Sequence, residues 1–399
     1  MIEAPAARAA YASFDRFPTA KGAAVHIGHA AATLFDRVGP GLLHVLGGDG
    51  LPPFQVDETP AGTPVLVVRA EPPATNLLER AVAYGEHLRV VLGQQADELV
   101  VVQGRDPWSI APLLDRRRAA LVYEVNGLPS VELPETRPAV AGRTVERLRE
   151  LEDRCLRAAD LVLTPSAVLG ERLVARGVPA DRLHVVPNGA DPVDEVPARP
   201  DGAPDRYVVY VGALQPWQGL PVALRALARL GDLDDLRLVV CSSVGPKRAR
   251  GLRRLARRLG VDDRVDWHHQ LRHDEVAAWL AHAELSLAPL TDGPRNVEQG
   301  CCPLKVLESL AAGTPVVASD LPAVRELVVD GEHGRLVPPD RPAELARAVR
   351  VLLEYPDEAA RLGRQGRAHV AAGLTWDDNR RRTLAAYDAL GLPRPARDG

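Results

Sequence analysis

Short, largely apolar runs alternate with stretches of helical periodicity along nearly the whole chain, and this alternation limits the fold to α/β architectures. In the first half the runs are 8–14, 41–46, 64–68, 98–102, 119–125, 160–164 and 183–186. They are apolar nearly throughout rather than at every second residue, as expected of strands buried on both faces of a parallel sheet. Helical patterns at 23–35, 77–92, 144–158 and 168–176 lie between them. At 192–205 the sequence turns to PVDEVPARPDGAPD, which has little to bury and is expected to be a linker. The alternation then resumes, with strands expected at 207–211, 236–241, 265–268, 285–288 and 315–318 and helices at 221–230, 247–259, 274–281, 303–311, 323–328 and 342–354. Two Rossmann-like domains are therefore expected, 1–192 and 206–375, joined by 193–205. Residues 376–399 should hold a last helix, 376–390, and a disordered tail. Such sheets bind ligands beyond the carboxyl ends of their strands, so the functional residues are expected in loops facing a central cleft.

A chain of 399 residues, 46% apolar and 26% charged, is long enough for two cores. The 49 basic and 53 acidic residues leave a net charge of −4 with no dense Lys/Arg cluster, so a nucleic-acid partner is not expected. No basic amphipathic face is evident to support a membrane acceptor. The start of the chain does not resemble a secretory leader, and no apolar run approaches the roughly 18 residues of a membrane span. A cytoplasmic protein without an integral membrane segment is the expectation. Four cysteines with no CxxC pair make neither a disulfide framework nor a metal site. Of the basic residues 46 are Arg and three are Lys: Lys21, Lys247 and Lys305. A GC-rich coding sequence accounts for the bias, and against it a retained Lys can mark a place that needs a compact ammonium.

The most informative segment runs Glu298-Gln299-Gly300-Cys301-Cys302-Pro303-Leu304-Lys305-Val306-Leu307-Glu308 and on to Asp320. Pro303 suits a first helical turn, Leu304, Leu307 and Ala311 form a buried stripe, and Gly313 ends the helix before a strand. The unpaired N–H groups at the start of that helix, with the positive end of its dipole, suit a diphosphate. Lys305 and Glu308 share a face at i, i+3, so the first can neutralise phosphate while the second accepts hydrogen bonds from ribose hydroxyls. The alternative is a solvated ion pair, but Lys ahead of Glu is the weaker helix-stabilising order.

Pro-Leu-Lys-Val-Leu-Glu-Ser-Leu-Ala-Ala-Gly-Thr-Pro-Val-Val-Ala-Ser, from Pro303, resembles the nucleotide-sugar signature of glycosyltransferase family 4, a retaining family with the GT-B fold. Val186-Pro187-Asn188-Gly189-Ala190-Asp191 resembles the turn that closes the family's N-terminal domain. Tyr210-Val211-Gly212-Ala213-Leu214 with Gly219 resembles the first strand and turn of its C-terminal domain. Asp330-Gly331 with Gly334-Arg335-Leu336-Val337, and Trp376 at the last helix, complete a likeness over residues 8 to 390.

The resemblance implies an acceptor-binding N-terminal domain, a C-terminal domain for a nucleoside diphosphate sugar, most often a UDP- or GDP-sugar, and a last helix crossing back to the first domain. It implies transfer of a hexosyl or N-acetylhexosaminyl group to a small-molecule or glycan acceptor, with no metal and no cofactor beyond the donor. Positive side chains and helix N–H groups then stabilise the departing diphosphate. Lys305, Leu304, Glu308, Gly300, Cys301, Cys302 and Gly212 fall in the donor motifs. The family's diphosphate-gripping Arg and Lys are replaced by Ala213 and Gln218, for which Lys247 is the candidate substitute. The first Glu of the family's Glu pair is replaced by Gly300, with Glu298 two residues earlier as the candidate in its place. Lys21 and Gly22 stand in the family's first glycine-rich loop, and Asn126 stands where relatives carry a His near the sugar hydroxyls. Lys305, Glu298 and Asn126 are thus the candidate catalytic groups, while Glu124 reads as a structural or solvated carboxylate rather than a base. A non-catalytic sugar-nucleotide-binding subunit and a GT-B epimerase or phosphorylase are the alternatives. His268, His269 and His273 read as structural or surface residues without a carboxylate around them, and Trp217 as a packing residue that could stack on a sugar or base.

Overall fold

Runs of buried apolar residues close into two separate parallel sheets in the computed structural model, which describes residues 6–48, 50–72, 76–115, 118–192 and 195–394. The chain divides into a first unit, Met1–Thr19, Ala23–Val186 and Arg380–Gly399, and a second, Ala20–Gly22 and Pro187–Asn379.

The first unit contains β1 (Ala9–Arg16), β2 (Gly41–Leu46), β3 (Phe54–Glu58), β4 (Pro64–Ala70), β5 (Val101–Gly104), β6 (Ala120–Glu124), β7 (Leu161–Thr164) and β8 (Leu183–Val185). Their order is β3-β4-β2-β1-β5-β6-β7-β8, and all neighbours are parallel except β3 and β4. One face packs on Ile27, Leu34 and Phe35 of the helix Gly22–Val38, the other on Tyr84 and Leu88 of the helix Leu77–Gly93. β3 is absent from the sequence-based expectation because it is a half-exposed edge strand: Phe54 and Val56 alternate with Gln55 and Asp57, and nothing buries them.

The second unit contains β9 (Tyr207–Gly212), β10 (Arg237–Ser242), β11 (Val265–His269), β12 (Leu285–Ala288), β13 (Val316–Ser319) and β14 (Arg335–Val337), all parallel in the order β11-β10-β9-β12-β13-β14. The strand order reverses between β9 and β12, the point where such sheets open a crevice at their carboxyl ends.

The turn Pro187–Asp191 grips the start of the last helix, Trp376–Ala389. Asp191 accepts from the Trp376 amide at 3.0 Å, the Asn379 side chain donates to the Pro187 carbonyl at 2.7 Å, and Ala190 N donates to Leu374 O at 3.0 Å. That helix starts in the second unit and continues in the first, where Tyr387 is fully buried. The expected tail disorder does not hold up to Arg394, because the Arg37 guanidinium donates to the Leu392 and Pro393 carbonyls and Leu392 is buried. Residues 395–399 of that tail and 193–194 of the expected linker lie outside the described residues.

Other departures from expectation lie in the helices. The helix Pro356–Gly373 contains Gly363, Gly366 and Gly373, and reads as a poor helix former. Gly363 and Gly366 are required by packing: a Cβ at Gly363 would stand 2.1 Å from Gly313 O, and one at Gly366 would stand 2.6 Å from Leu310 Cδ2. Gly363→Ala is expected to cost about 1–3 kcal/mol, because backbone rather than a side chain must move. Chemical denaturation checks this, and an unchanged midpoint would refute the packing argument. The helix Pro246–Leu259, expected at 247–259, carries seven Lys and Arg in 14 residues and no acid, so the expectation of no dense Lys/Arg cluster and no basic amphipathic face fails there, the balanced total charge having concealed it. No described helix is long and apolar enough to cross a membrane.

Candidate functional site

At the reversal in the second sheet β9 ends on Gly212, whose φ of +133° disfavours any side chain. The space a Cβ would need is occupied, since Lys305 Nζ lies 3.1 Å from that position. Lys305 comes from the first turn of the helix Leu304–Ala311, and its ammonium sits 4.2 Å from the centroid of the Tyr210 ring. The Tyr210 hydroxyl donates to Ala213 O at 2.6 Å, which fixes the ring. Lys305 is 7% exposed, and Nζ has no hydrogen-bond partner among the described residues. Burial pushes its pKa down to about 7, and Cys301 and Glu308 offset this only in part. Gln215 Oε1 and Gln218 Oε1, in the turn after β9, are also buried without partners among the described residues. Native proteins seldom leave such groups together unless something polar is to meet them.

Pro303 caps the helix rather than opening its first turn. Its carbonyl accepts from Val306 N at 3.0 Å, and no side chain caps the first N–H groups. The preceding loop is held from below: Cys301 and Cys302 are buried among apolar residues, and the Asn188 amide donates to Cys302 O at 2.8 Å. Gly300 ends a π-type turn, Arg295–Gln299, that the sequence does not foretell. Asn296 anchors this turn by donating to the carbonyls of Trp217 and Thr291, at 2.8 and 2.9 Å. Glu298 is exposed on it, while Gln299 is fully buried. Trp217 is buried with the Arg295 guanidinium 5.8 Å from its ring centroid.

Lys305 and Glu308 do not pair with each other. Glu308 lies 3.7 Å from His273 Nδ1, so the expectation that the histidines have no carboxylate near them fails at His273. Its own pKa is raised by burial, against the pull of His273 and Lys305. Among the described residues no group of three or more His, Cys, Asp or Glu is placed to hold a metal. Lys247 is exposed in the first turn of its helix, just beyond the end of β10. Gly22 is close to the start of the helix Leu304–Ala311, for a Cβ there would come within 2.8 Å of Leu304 Cδ1, and Lys21 precedes it.

The first unit holds a second cluster, around Glu124 at the end of β6. Glu124 Oε2 accepts from Tyr11 OH at 3.0 Å and from the Gln103 amide at 2.7 Å. Oε1 lies 2.5 Å from His26 Nε2 and accepts from the Asn126 amide at 2.5 Å. Tyr387 OH donates to Gln103 Oε1 at 2.5 Å, which carries the network to the last helix. Burial alone would raise the Glu124 pKa, but His26, Arg105 and Gln103 outweigh it and hold the carboxylate at about 2. Asn126, read from the sequence as a sugar contact, is thus oriented by Glu124. Tyr11, His26 and Gln103 have no sequence signal, because their elements meet only in the fold.

A model described as "Glycosyl transferase 4-like domain" matches residues 21–189, and one described as "Glycosyl transferases group 1" matches residues 205–355. The chain belongs to glycosyltransferase family 4. Among similar proteins, MMP alpha-(1->4)-mannosyltransferase of Mycolicibacterium hassiacum is 33% identical over 241 residues, 60% of this chain and 56% of that protein. D-inositol 3-phosphate glycosyltransferase of Nocardia farcinica is 31% identical over 293 residues, 69% of this chain and 62% of that protein. The chain spans less than two thirds of the length of either relative. Among solved structures, sucrose-phosphate synthase from Thermosynechococcus elongatus superposes with a TM-score of 0.76 at 20% identity, covering 96% of this chain and 99% of that one. HepE from Anabaena, in complex with UDP and glucose, does so with a TM-score of 0.73 at 19% identity, again over 96% and 99%. The fold is GT-B, with both parallel-sheet α/β domains present.

Proposed function

We propose that this family 4 protein is a retaining, metal-independent, cytoplasmic glycosyltransferase that moves a hexosyl-type group from a UDP- or GDP-sugar to a hydroxyl of a small-molecule or glycan acceptor. The observation that carries the reading is the buried ammonium of Lys305, held over Gly212 and the Tyr210 ring without a hydrogen-bond partner among the described residues. A diphosphate at that point gives the ammonium its missing counter-charge, and the charge that grows on the leaving group strengthens the contact in the transition state. The first N–H groups of the helix Leu304–Ala311 add donors, and Glu308 accepts from the ribose hydroxyls. On front-face departure the leaving phosphate takes the acceptor's proton, so no protein base is required. The solved complex of HepE with UDP and glucose supports a nucleotide-sugar donor.

Calorimetric titration with UDP, GDP, dTDP and ADP tests the reading. One nucleotide is expected to bind wild type and to lose tenfold or more, about 1.4 kcal/mol, in Glu308→Ala. Binding of none of the four would refute the donor site. Release of nucleoside diphosphate only when an acceptor is present separates a transferase from an epimerase, and independence from phosphate separates it from a phosphorylase.

A further inference from the structure

The basic helix Pro246–Leu259 has an apolar side that the fold accounts for. Ala249 and Ala256 are fully buried, and Leu252, Leu255 and Leu259 pack on the core of the second unit. Three of its seven cations are engaged: Arg257 donates to Asp262 at 3.1 Å, Arg253 lies 5.2 Å from the centroid of the Trp267 ring, and Arg250 donates to the Lys247 carbonyl at 3.3 Å. Among the described residues no carboxylate pairs with Lys247, Arg248, Arg250, Arg254 or Arg258. Elsewhere in this unit surface arginines do find acids, as Arg237 does with Asp266, Arg325 with Asp320 and Arg350 with Asp232. Lys247, Arg250, Arg254 and Arg258 stand at i, i+3, i+7 and i+11, which a helix gathers on one side, and all four are exposed. They form a straight cationic line about 16 Å long. Gly251 lies beside it in open space.

We propose that this face is a docking surface for an anionic lipid bilayer. A nucleic-acid surface would set aromatic or amide side chains among the cations to stack on or read bases, and the exposed positions of this line are cations with a glycine beside them. A protein partner would need an apolar anchor on the face, and every Leu of the helix is turned to the core. A plane of negative charge requires neither. It attracts juxtaposed Lys and Arg over about one Debye length and is screened by salt. With no exposed apolar residue along the line, the helix rests on headgroups and does not insert. The inference stands apart from the donor-site reading, since it uses no residue that contacts the candidate nucleotide pocket except the end of the line at Lys247.

Co-sedimentation of the full chain with vesicles tests it. Wild type is expected to pellet with phosphatidylcholine–phosphatidylglycerol vesicles at low salt, to be released at high salt, and to stay in solution with phosphatidylcholine alone. The triple variant Arg250→Gln, Arg254→Gln, Arg258→Gln should partition about a hundredfold more weakly, near fivefold for each charge lost. A control, Arg143→Gln, Arg147→Gln, Arg154→Gln, removes as many exposed charges from the helix Gly142–Ala158 of the first unit and should bind as wild type. If the triple variant does not fold, the single reversal Arg254→Glu supplies the same readout. Equal binding to both vesicle types, undiminished binding by the variants, or tighter binding to a DNA duplex than to the anionic vesicles would overturn the proposal.

Discussion

Lys305→Met is expected to raise the melting temperature and, on the proposed function, to remove most of the transferase activity at once. The two effects share one cause. The wild-type ammonium is buried without a hydrogen-bond partner among the described residues, so an apolar side chain of similar length relieves a desolvation cost, with a gain of about 1–4 kcal/mol. On the proposed function the same change removes the charge aimed at the departing diphosphate, an expected loss of about 10²–10³ in kcat. The gain depends on pH with a definite sign. Burial holds Lys305 at about 7 against an ordinary value of 10.5, so between these limits the unfolded chain binds the extra proton. Wild-type stability therefore rises with pH through that window and is lowest below about pH 7. The advantage of the Met variant is greatest near pH 6 and shrinks towards about pH 10. Nucleotide affinity of the wild type should weaken above pH 7, as the ammonium is lost. Differential scanning calorimetry across this range decides the matter. A Met variant that is less stable than wild type and binds nucleotide equally well would remove Lys305 from the site.

Glu124→Leu is expected to cost about 3–5 kcal/mol, the range for removing one member of a buried charged network. Tyr11, Gln103, His26 and Asn126 would each lose an acceptor inside the first unit. Glu124→Gln should cost less, because its carbonyl still accepts from part of the set. Here too stability rises with pH, but in the acid range, and because the charged form is the one the fold favours. The carboxylate is held at about 2 in the folded chain against 4.5 ordinarily, so its contribution is complete above about pH 4.5 and is lost as pH falls towards 2. Circular dichroism melts at neutral and acid pH should show wild type approaching the Leu variant in acid. Coincident melts at neutral pH would mean that the network contributes nothing.

Much of the fold was legible because it is written locally. β9, β10 and β12 are buried on both faces, so they stand out as unbroken apolar runs. β3 was invisible to that criterion, since one side of an edge strand faces water. The helix Pro356–Gly373 was hidden by glycines whose purpose lies in Gly313 and Leu310, some 50 residues away in the chain. The basic helix Pro246–Leu259 was fully present in the sequence, and a whole-chain charge near zero averaged it out.

The candidate site divides in the same way. That Lys305 and Glu308 share a helix face follows from the 3.6-residue period, and the donor motif follows from residue order, so both belong to the sequence by itself. That the ammonium rests on Tyr210 and over Gly212, that Glu308 meets His273, and that Glu124 joins Tyr11, His26 and Gln103 belong to the tertiary structure. Periodicity is a property of neighbours along the chain. Burial, partners and the pKa shifts they cause depend on which distant segments the fold brings into contact, and those contacts exist only once the sheets and helices have packed.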